Sequence, residues 1–182
     1  HCATLLVELL IEAGIPPGVV NLVTGTGADI GEALVESPDV AVISFTGNSA
    51  TGKRIAQLAA RRLKRVSLEL GGKNAVVVLR DADLDLAVDG IVWSAFGTTG
   101  QRCTACSRVI VERQVVDELV ARLTERASRL KLGSGLDESV DVGPLVNGAA
   151  LEKVESYIEV GRSEAELVCG GRRVTDGELG EG

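Results

Sequence analysis

The stretch FGTTGQRCTACSR, residues 96–108, carries two cysteines at C-x-x-C spacing, Cys103 and Cys106, and three chemistries use such a pair. A redox dithiol belongs between a strand and the start of a helix, where the helix dipole lowers the thiol pKa. Here the pair follows a helical pattern and precedes RVIV, the wrong context. Zinc needs about four ligands, and the other candidates, His1, Cys2 and Cys169, are scattered, so no metal site is expected. A single thiol nucleophile is left. His1 is the only histidine, which excludes a Cys–His pair within this segment, so any base must be a carboxylate.

Glu69 in LELGGK ends a short strand pattern just before Gly71-Gly72. A carboxylate at the carboxyl edge of a parallel sheet lies where ligands bind. A surface glutamate on an alternating strand explains the motif equally well, with Lys73 close enough in sequence to pair with it. Two glycine turns join strands to helices. GTGADIG has Gly25, Gly27 and Gly31 at G-x-G-x-x-x-G rather than the dinucleotide spacing, and a plain tight turn accounts for it as well. In FTGNSATG, Gly47 permits close backbone approach, and Asn48 or Ser49 can cap the helix that follows. Free N–H groups at that helix start suit a phosphate. Thiol, carboxylate and nucleotide site together fit thiol attack on a carbonyl, hydride transfer to a nicotinamide and hydrolysis of the thioester.

The elements that must position these groups alternate. A helix is expected over 3–13, strands over VVNLVTG (19–25), VAVISF (40–45) and VSLEL (66–70), and a helix after FTGN with Ile55, Leu58, Ala59 and Leu63 on one face. VAVISF, continuously apolar, reads as a strand covered on both faces. Further on, strands are expected at NAVVVL, RVIVER and ELVCGG. Helices are expected over DADLDLAVDGIVWSAFG, capped by Asp81 or Asp83, over VVDELVARLTERASRL and over GAALEKVESYIEVGRSEA. The fold class is α/β, a parallel Rossmann-like sheet continuing into a second α/β unit, with the boundary near Gly71–Lys73.

Bulk properties narrow the partners. The net charge of −7 argues against nucleic acid; the basic run RRLKR (61–65) reads as a solvated helix end. No apolar run approaches bilayer length, so no membrane partner is expected. Four scattered cysteines make no disulfide scaffold, and a reducing cytoplasm is the default. The chain has no Met, opens at His1 and closes on the turn-like GELGEG, which is expected of an excerpt from a longer polypeptide.

FTGNSATG, LELGGKNAVVVL and FGTTGQRCTACSR, with AGIPPGVVNLVTG and VGPL, resemble the aldehyde dehydrogenase superfamily in order and separation across essentially the whole chain. The resemblance implies Cys103 as the catalytic nucleophile and Glu69 as the general base for the deacylating water; Cys106 falls at a variable position and reads as a bystander. It implies cofactor contacts, to NAD or NADP, at Gly25, Thr26 and Gly27 near the adenosine half. It implies more at Phe45, Thr46, Gly47, Asn48, Ser49 and Gly52 around the pyrophosphate, and at Leu70 and Gly71 near the nicotinamide. Asn48 departs from the serine usual there; it can still cap, so pyrophosphate binding is expected to persist. Residues 1–72 correspond to the later part of the NAD(P)-binding domain and 73–182 to the early part of the catalytic domain.

The implied substrate is a small-molecule aldehyde, and the implied parent a homo-oligomer, dimer or tetramer. The family's amide-bearing asparagine and ribose-reading residues are expected upstream of His1, and a further glutamate and an oligomerisation strand downstream. The segment alone is therefore expected to be poorly active or inactive. Two other readings stand beside this one: an acylating relative that passes the thioester to coenzyme A, which often lacks the glutamate, and a non-catalytic binding or assembly module. Trp93 and Phe96, on the helix leading to Cys103, are candidates for the substrate entrance.

Overall fold

The computed structural model describes residues 1–181 and divides into two compact units, His1–Leu70 and Gly71–Gly182. Each unit holds one parallel two-stranded sheet with helices against it.

In the first unit, helix α1 (Cys2–Glu12) is followed by an irregular stretch, a π-helical turn over Gly27–Gly31 and the short helix α2 (Glu32–Glu36). Strand β1 (Val42–Gly47), helix α3 (Ser49–Ala60) and strand β2 (Arg65–Leu70) then form a β-α-β unit. Leu58 and Ala59 of α3 and Val35 of α2 are buried, with Ile43, Ile55 and Val66 against them. The expected strand over 19–25 is absent: Val19 and Val23 are 65% and 59% exposed, and with no ladder partner among the described residues the β-branched run stays irregular. β1 is not covered on both faces within the unit, because Val42 and Ser44 are exposed while Ile43 and Phe45 are half-buried.

Leu63 also departs from expectation. Helix α3 ends at Ala60, and Leu63 takes a left-handed conformation, φ 52°, facing solvent. Its N–H donates to the Ala60 carbonyl and that of Lys64 to the Ala59 carbonyl, the paired bonds of a Schellman ending. Nor is all of RRLKR solvated. Lys64 turns back and donates its ammonium to the carbonyls of Val35 and Ser37, 2.6 and 2.5 Å, at the carboxyl end of α2, where a cation meets the negative end of the helix.

In the second unit, β3 (Asn74–Val78) pairs in parallel with β4 (Cys106–Val111), connected through α4 (Leu84–Phe96). Of the two expected caps Asp83 is the one used, its carboxylate accepting from the N–H groups of Asp85 and Leu86. Helix α5 (Val116–Ser128) has Asp117 and Glu118 in its first turn and Arg126 in its last, the polarity its dipole favours. Val78, Val88, Ile91, Val92 and the wholly buried Leu119 form the core between sheet and helices. Helix α6 (Gly148–Glu164) is capped by Asn147. ELVCGG (166–171) is not a strand, again for want of a ladder among the described residues. The chain closes in a 3-10 turn over Gly177–Glu181; Gly182 lies outside the described residues.

Candidate functional site

The register of β1 against β2 collects most of the first unit's candidates at one edge. Thr46 stands opposite Glu69 and Gly47 opposite Leu70, so Glu69, exposed, sits at the carboxyl end of a parallel pair, where ligands bind in α/β sheets. Helix α3 rises from the same edge. Asn48 is its cap, Oδ1 accepting from the Thr51 N–H at 2.9 Å. The first turn of a helix carries N–H groups without intrahelical partners; with the Thr51 N–H taken by the cap and the Gly52 N–H by the Asn48 carbonyl, those of Ser49 and Ala50 remain at the positive end of the helix dipole. A Cβ on Gly47 would run into the Phe45 ring, and one on Gly52 would fall 2.7 Å from Leu70 Cδ2. Phe45, Thr46, Gly47, Asn48, Ser49, Gly52, Glu69 and Leu70 therefore belong to one edge, where a side chain at Gly47 or Gly52 would push the Phe45 ring or the Leu70 side chain aside.

Gly25, Thr26 and Gly27 stand at the start of the π-helical turn. Thr26 caps it: its hydroxyl donates to Asp29 Oδ2 at 2.6 Å and accepts from the Asp29 N–H at 3.3 Å. That turn runs into α2, which packs on α3. A bidentate ion pair, Arg54 Nε and Nη2 to the two Glu32 oxygens at 2.8 and 3.2 Å, joins α2 to α3. The Arg54 guanidinium holds the Glu32 carboxyl below the ordinary carboxylate range, first through the hydrogen bond and then through its charge.

The second unit builds the cysteine turn. After α4 the chain passes Thr98 and Thr99 with φ of 52° and 58°, then Gly100 with φ 67°. Positive φ at two consecutive threonines is unusual for β-branched residues, and such strain gathers at functional sites. The Thr99 hydroxyl donates to the Gly143 carbonyl at 3.0 Å, and Gln101 Oε1 accepts from the Val146 N–H at 3.0 Å. The VGPL segment thus buttresses this elbow.

Cys103 and Thr104 are the central residues of the next turn, closed by Ala105 N–H to the Arg102 carbonyl, 3.1 Å. The Asn74 amide donates to the Cys103 carbonyl at 2.6 Å and the Ala105 carbonyl at 3.3 Å. The Cys106 N–H donates to Ser94 Oγ at 3.1 Å. Arg102 stacks its guanidinium on the Trp93 ring, 4.3 Å to the centroid, and donates to the Trp93 carbonyl at 3.1 Å. Cys103 is exposed and free; Cys106 is half-buried, also free, and directs its thiol to the Arg108 carbonyl at 3.2 Å. The two sulfurs of the C-x-x-C are thus unlike in setting, and they are not joined.

Gly71 is exposed, with open space where a Cβ would stand. Lys73 donates to the Gly72 carbonyl. Among the described residues no group of three or more His, Cys, Asp or Glu could hold a metal ion, and no helix is long and apolar enough to cross a membrane. Sequence reasoning missed Asn74, Ser94 and Thr99 as surroundings of the cysteine turn. Only the glycine-threonine run before Cys103 hinted at an unusual backbone; the other contacts join residues distant in sequence.

The sequence model of the aldehyde dehydrogenase family matches residues 1–182. Betaine aldehyde dehydrogenase of Bacillus subtilis (strain 168) is 46% identical over 176 residues, covering 96% of this chain and 36% of that protein. The crystal structure of HpcC from Thermus thermophilus matches with a TM-score of 0.93 at 44% identity, over 98% of this chain and 35% of that one. Betaine aldehyde dehydrogenase of Staphylococcus aureus, solved in complex with NAD+, matches with a TM-score of 0.95 at 35% identity, over 99% of this chain and 36% of that one. The chain spans about a third of the length of these relatives.

Proposed function

Because this chain belongs to the aldehyde dehydrogenase family, we propose that it carries the nucleophile, the base and part of the cofactor cradle of an enzyme that oxidises an aldehyde to a carboxylic acid with NAD+. The observation that carries the reading is Cys103: an unpaired, exposed thiol at the corner of a turn held through Arg102, Asn74 and Ser94.

The Cys103 thiolate adds to the aldehyde carbon. A C–S bond forms, and the carbonyl π electrons move onto oxygen. The developing oxyanion is met by the Cys103 N–H, a donor aimed at the tetrahedral state and of little use to the planar one. NAD+, when bound, supplies the acceptor for the hydride leaving that carbon. The carbonyl re-forms as a thioester on Cys103. Glu69 takes a proton from water as the water oxygen adds, the C–S bond breaks, and the acid leaves with the Cys103 thiolate restored.

The first unit suits the cofactor. The start of α3, with the Ser49 and Ala50 N–H groups at the positive end of the helix, suits a pyrophosphate, and the Staphylococcus aureus relative was solved with NAD+. Gly25, Thr26, Gly27, Phe45, Thr46, Ser49, Leu70 and Gly71 complete the proposed contacts. Residues 1–72 form the later part of the cofactor domain, which also brings the base Glu69, and 73–182 the early part of the catalytic domain, which brings Cys103. Four unpaired cysteines fit a reducing, cytoplasmic setting. The parent is taken to be a homo-oligomer on family grounds.

Glu69 favours hydrolysis over transfer of the acyl group to coenzyme A, and the presence of both Cys103 and Glu69 speaks against a non-catalytic module. The test is turnover of the full-length enzyme with a panel of aldehydes. Cys103→Ala abolishes NADH formation, and Glu69→Gln keeps the first burst of NADH but stalls the steady state. Full turnover by Cys103→Ala would sink the assignment, and acyl-coenzyme A as the main product would redirect it. Residues 1–182 alone are proposed to be inactive; robust aldehyde oxidation by that segment would overturn this.

A further inference from the structure

We propose that Asn74 is a positioning residue for the nucleophile: its side-chain amide, swung past the end of β3 by a slip in the β3–β4 ladder, locks the backbone of Cys103. This rests on the reading of Cys103 as the nucleophile. Asn74 stands opposite Cys106, but the next residue, Ala75, stands opposite Arg108. Ser107 is therefore looped out, and its hydroxyl donates to the Asn74 carbonyl at 3.2 Å. A bulge bends its strand and re-aims a side chain. Here it fixes the Asn74 backbone while the amide reaches the cysteine turn.

The bonds tie back three of the four carbonyls from Arg102 to Ala105. Nδ2 serves the Cys103 carbonyl at 2.6 Å and the Ala105 carbonyl at 3.3 Å, while the Arg102 carbonyl is taken by the Ala105 N–H. The carbonyls at 102, 103 and 105 are all engaged. The Cys103 N–H has no partner among the described residues, and the thiol is exposed. The two groups the chemistry needs are left free, and the Arg102, Cys103 and Ala105 carbonyls, which would repel an oxyanion, are tied back. This requires a donor at residue 74. A carboxylate of the same size would face two carbonyl oxygens and reverse the effect.

The experiment compares Asn74→Asp, Asn74→Ala and Asn74→Ser in the full-length enzyme, with Cys103→Ala as control, reading the burst rate of NADH, kcat, KM, NAD+ affinity and melting temperature. At neutral pH Asn74→Asp is expected to lose about tenfold or more in burst rate and kcat, as misplacement of a reacting group does, with NAD+ affinity unchanged. As pH falls toward the carboxylate range the aspartate gains a proton and becomes a donor. Its burst rate relative to the parent's then rises, whereas the ratio for Asn74→Ala stays flat. Asn74→Ser, which keeps a donor, exceeds Asn74→Ala and provides the comparison should the aspartate variant fail to fold. Parental kcat in Asn74→Asp, a flat ratio, or Asn74→Ser no better than Asn74→Ala overturns the proposal while Cys103→Ala remains dead. Turnover by Cys103→Ala would instead remove the reading on which it rests, and the proposal with it.

Discussion

Gly52 of α3 faces the side chain of Leu70 at the end of β2: a Cβ on Gly52 would lie 2.7 Å from Leu70 Cδ2. Replacing Gly52 with Ala favours helix α3 by about 1 kcal/mol and displaces the half-buried Leu70 side chain from the edge shared with Glu69. Stability is expected to stay within about 1 kcal/mol of the parent, while KM for NAD+ rises on the order of tenfold through the misplaced edge. Steady-state kinetics at varied NAD+, beside a denaturant melt, separate the two effects. An unchanged KM would show that this edge does not meet the cofactor.

At Gly100 both space and backbone exclude a side chain, because φ is 67° and a Cβ would lie 2.9 Å from the Ala95 carbonyl oxygen. Gly100→Ala is expected to cost about 1–3 kcal/mol and to reduce kcat, since the elbow leads straight into Cys103. Parental melting and turnover together would contradict this geometry.

The end of α3 offers a stabilising change. Leu63 fills the left-handed position of a Schellman ending and is 94% exposed. A non-glycine residue there costs about 1–2 kcal/mol, against about 0.5–1 kcal/mol for the extra freedom of glycine in the unfolded chain. Leu63→Gly should therefore raise stability by about 0.5–1 kcal/mol in urea unfolding. A destabilised variant would mean that Leu63 is engaged elsewhere in the working enzyme.

In the second unit the core rests on few residues. Leu119 is 0% exposed among Val78, Val88, Ile91 and Val92, so Leu119→Ala is expected to cost roughly 2–5 kcal/mol. Leu136, 98% exposed, serves as the control, with an alanine change within about 0.5 kcal/mol.

The acid limb of stability should register Glu32. Its carboxyl is held below the ordinary carboxylate range by Arg54, so the pair's contribution is present above the unfolded carboxylate pKa and is lost as pH falls through the depressed folded value. Glu32→Gln should flatten the stability profile over that acid window and change little near neutrality, where an exposed pair contributes weakly. An acid slope identical to the parent's would remove Glu32 from the account.

What the sequence made legible was local. Asn48 and Asp83 cap their helices as their types and positions suggest, because a cap needs only a side chain and the next few N–H groups. β1 to β4 and the longer helices follow their patterns. The runs over 19–25 and 166–171 look equally strand-like, yet a strand exists only through its ladder, and apolar alternation does not reveal whether a neighbour is present. The expected face of α3 held for Ile55, Leu58 and Ala59 and failed at Leu63, where the ending geometry overrode hydrophobic periodicity. For the candidate site, the types of Cys103 and Glu69 are what the sequence offers. The surroundings of Cys103 did not, since Asn74, Ser94 and Gly143 reach its loop only through the ladder slip and the elbow.

The stacking of Arg102 on Trp93 has a practical side. Trp93 is the chain's single tryptophan, and the residue lying on it is bonded directly to Cys103. Its indole is thus a fluorophore attached, through one stacked cation, to the turn that bears the thiol. A movement of that turn that carries the guanidinium with it is expected to change the surroundings of the indole, which the emission of Trp93 would register. Trp93 emission is thus an optical gauge of where the Cys103 turn sits.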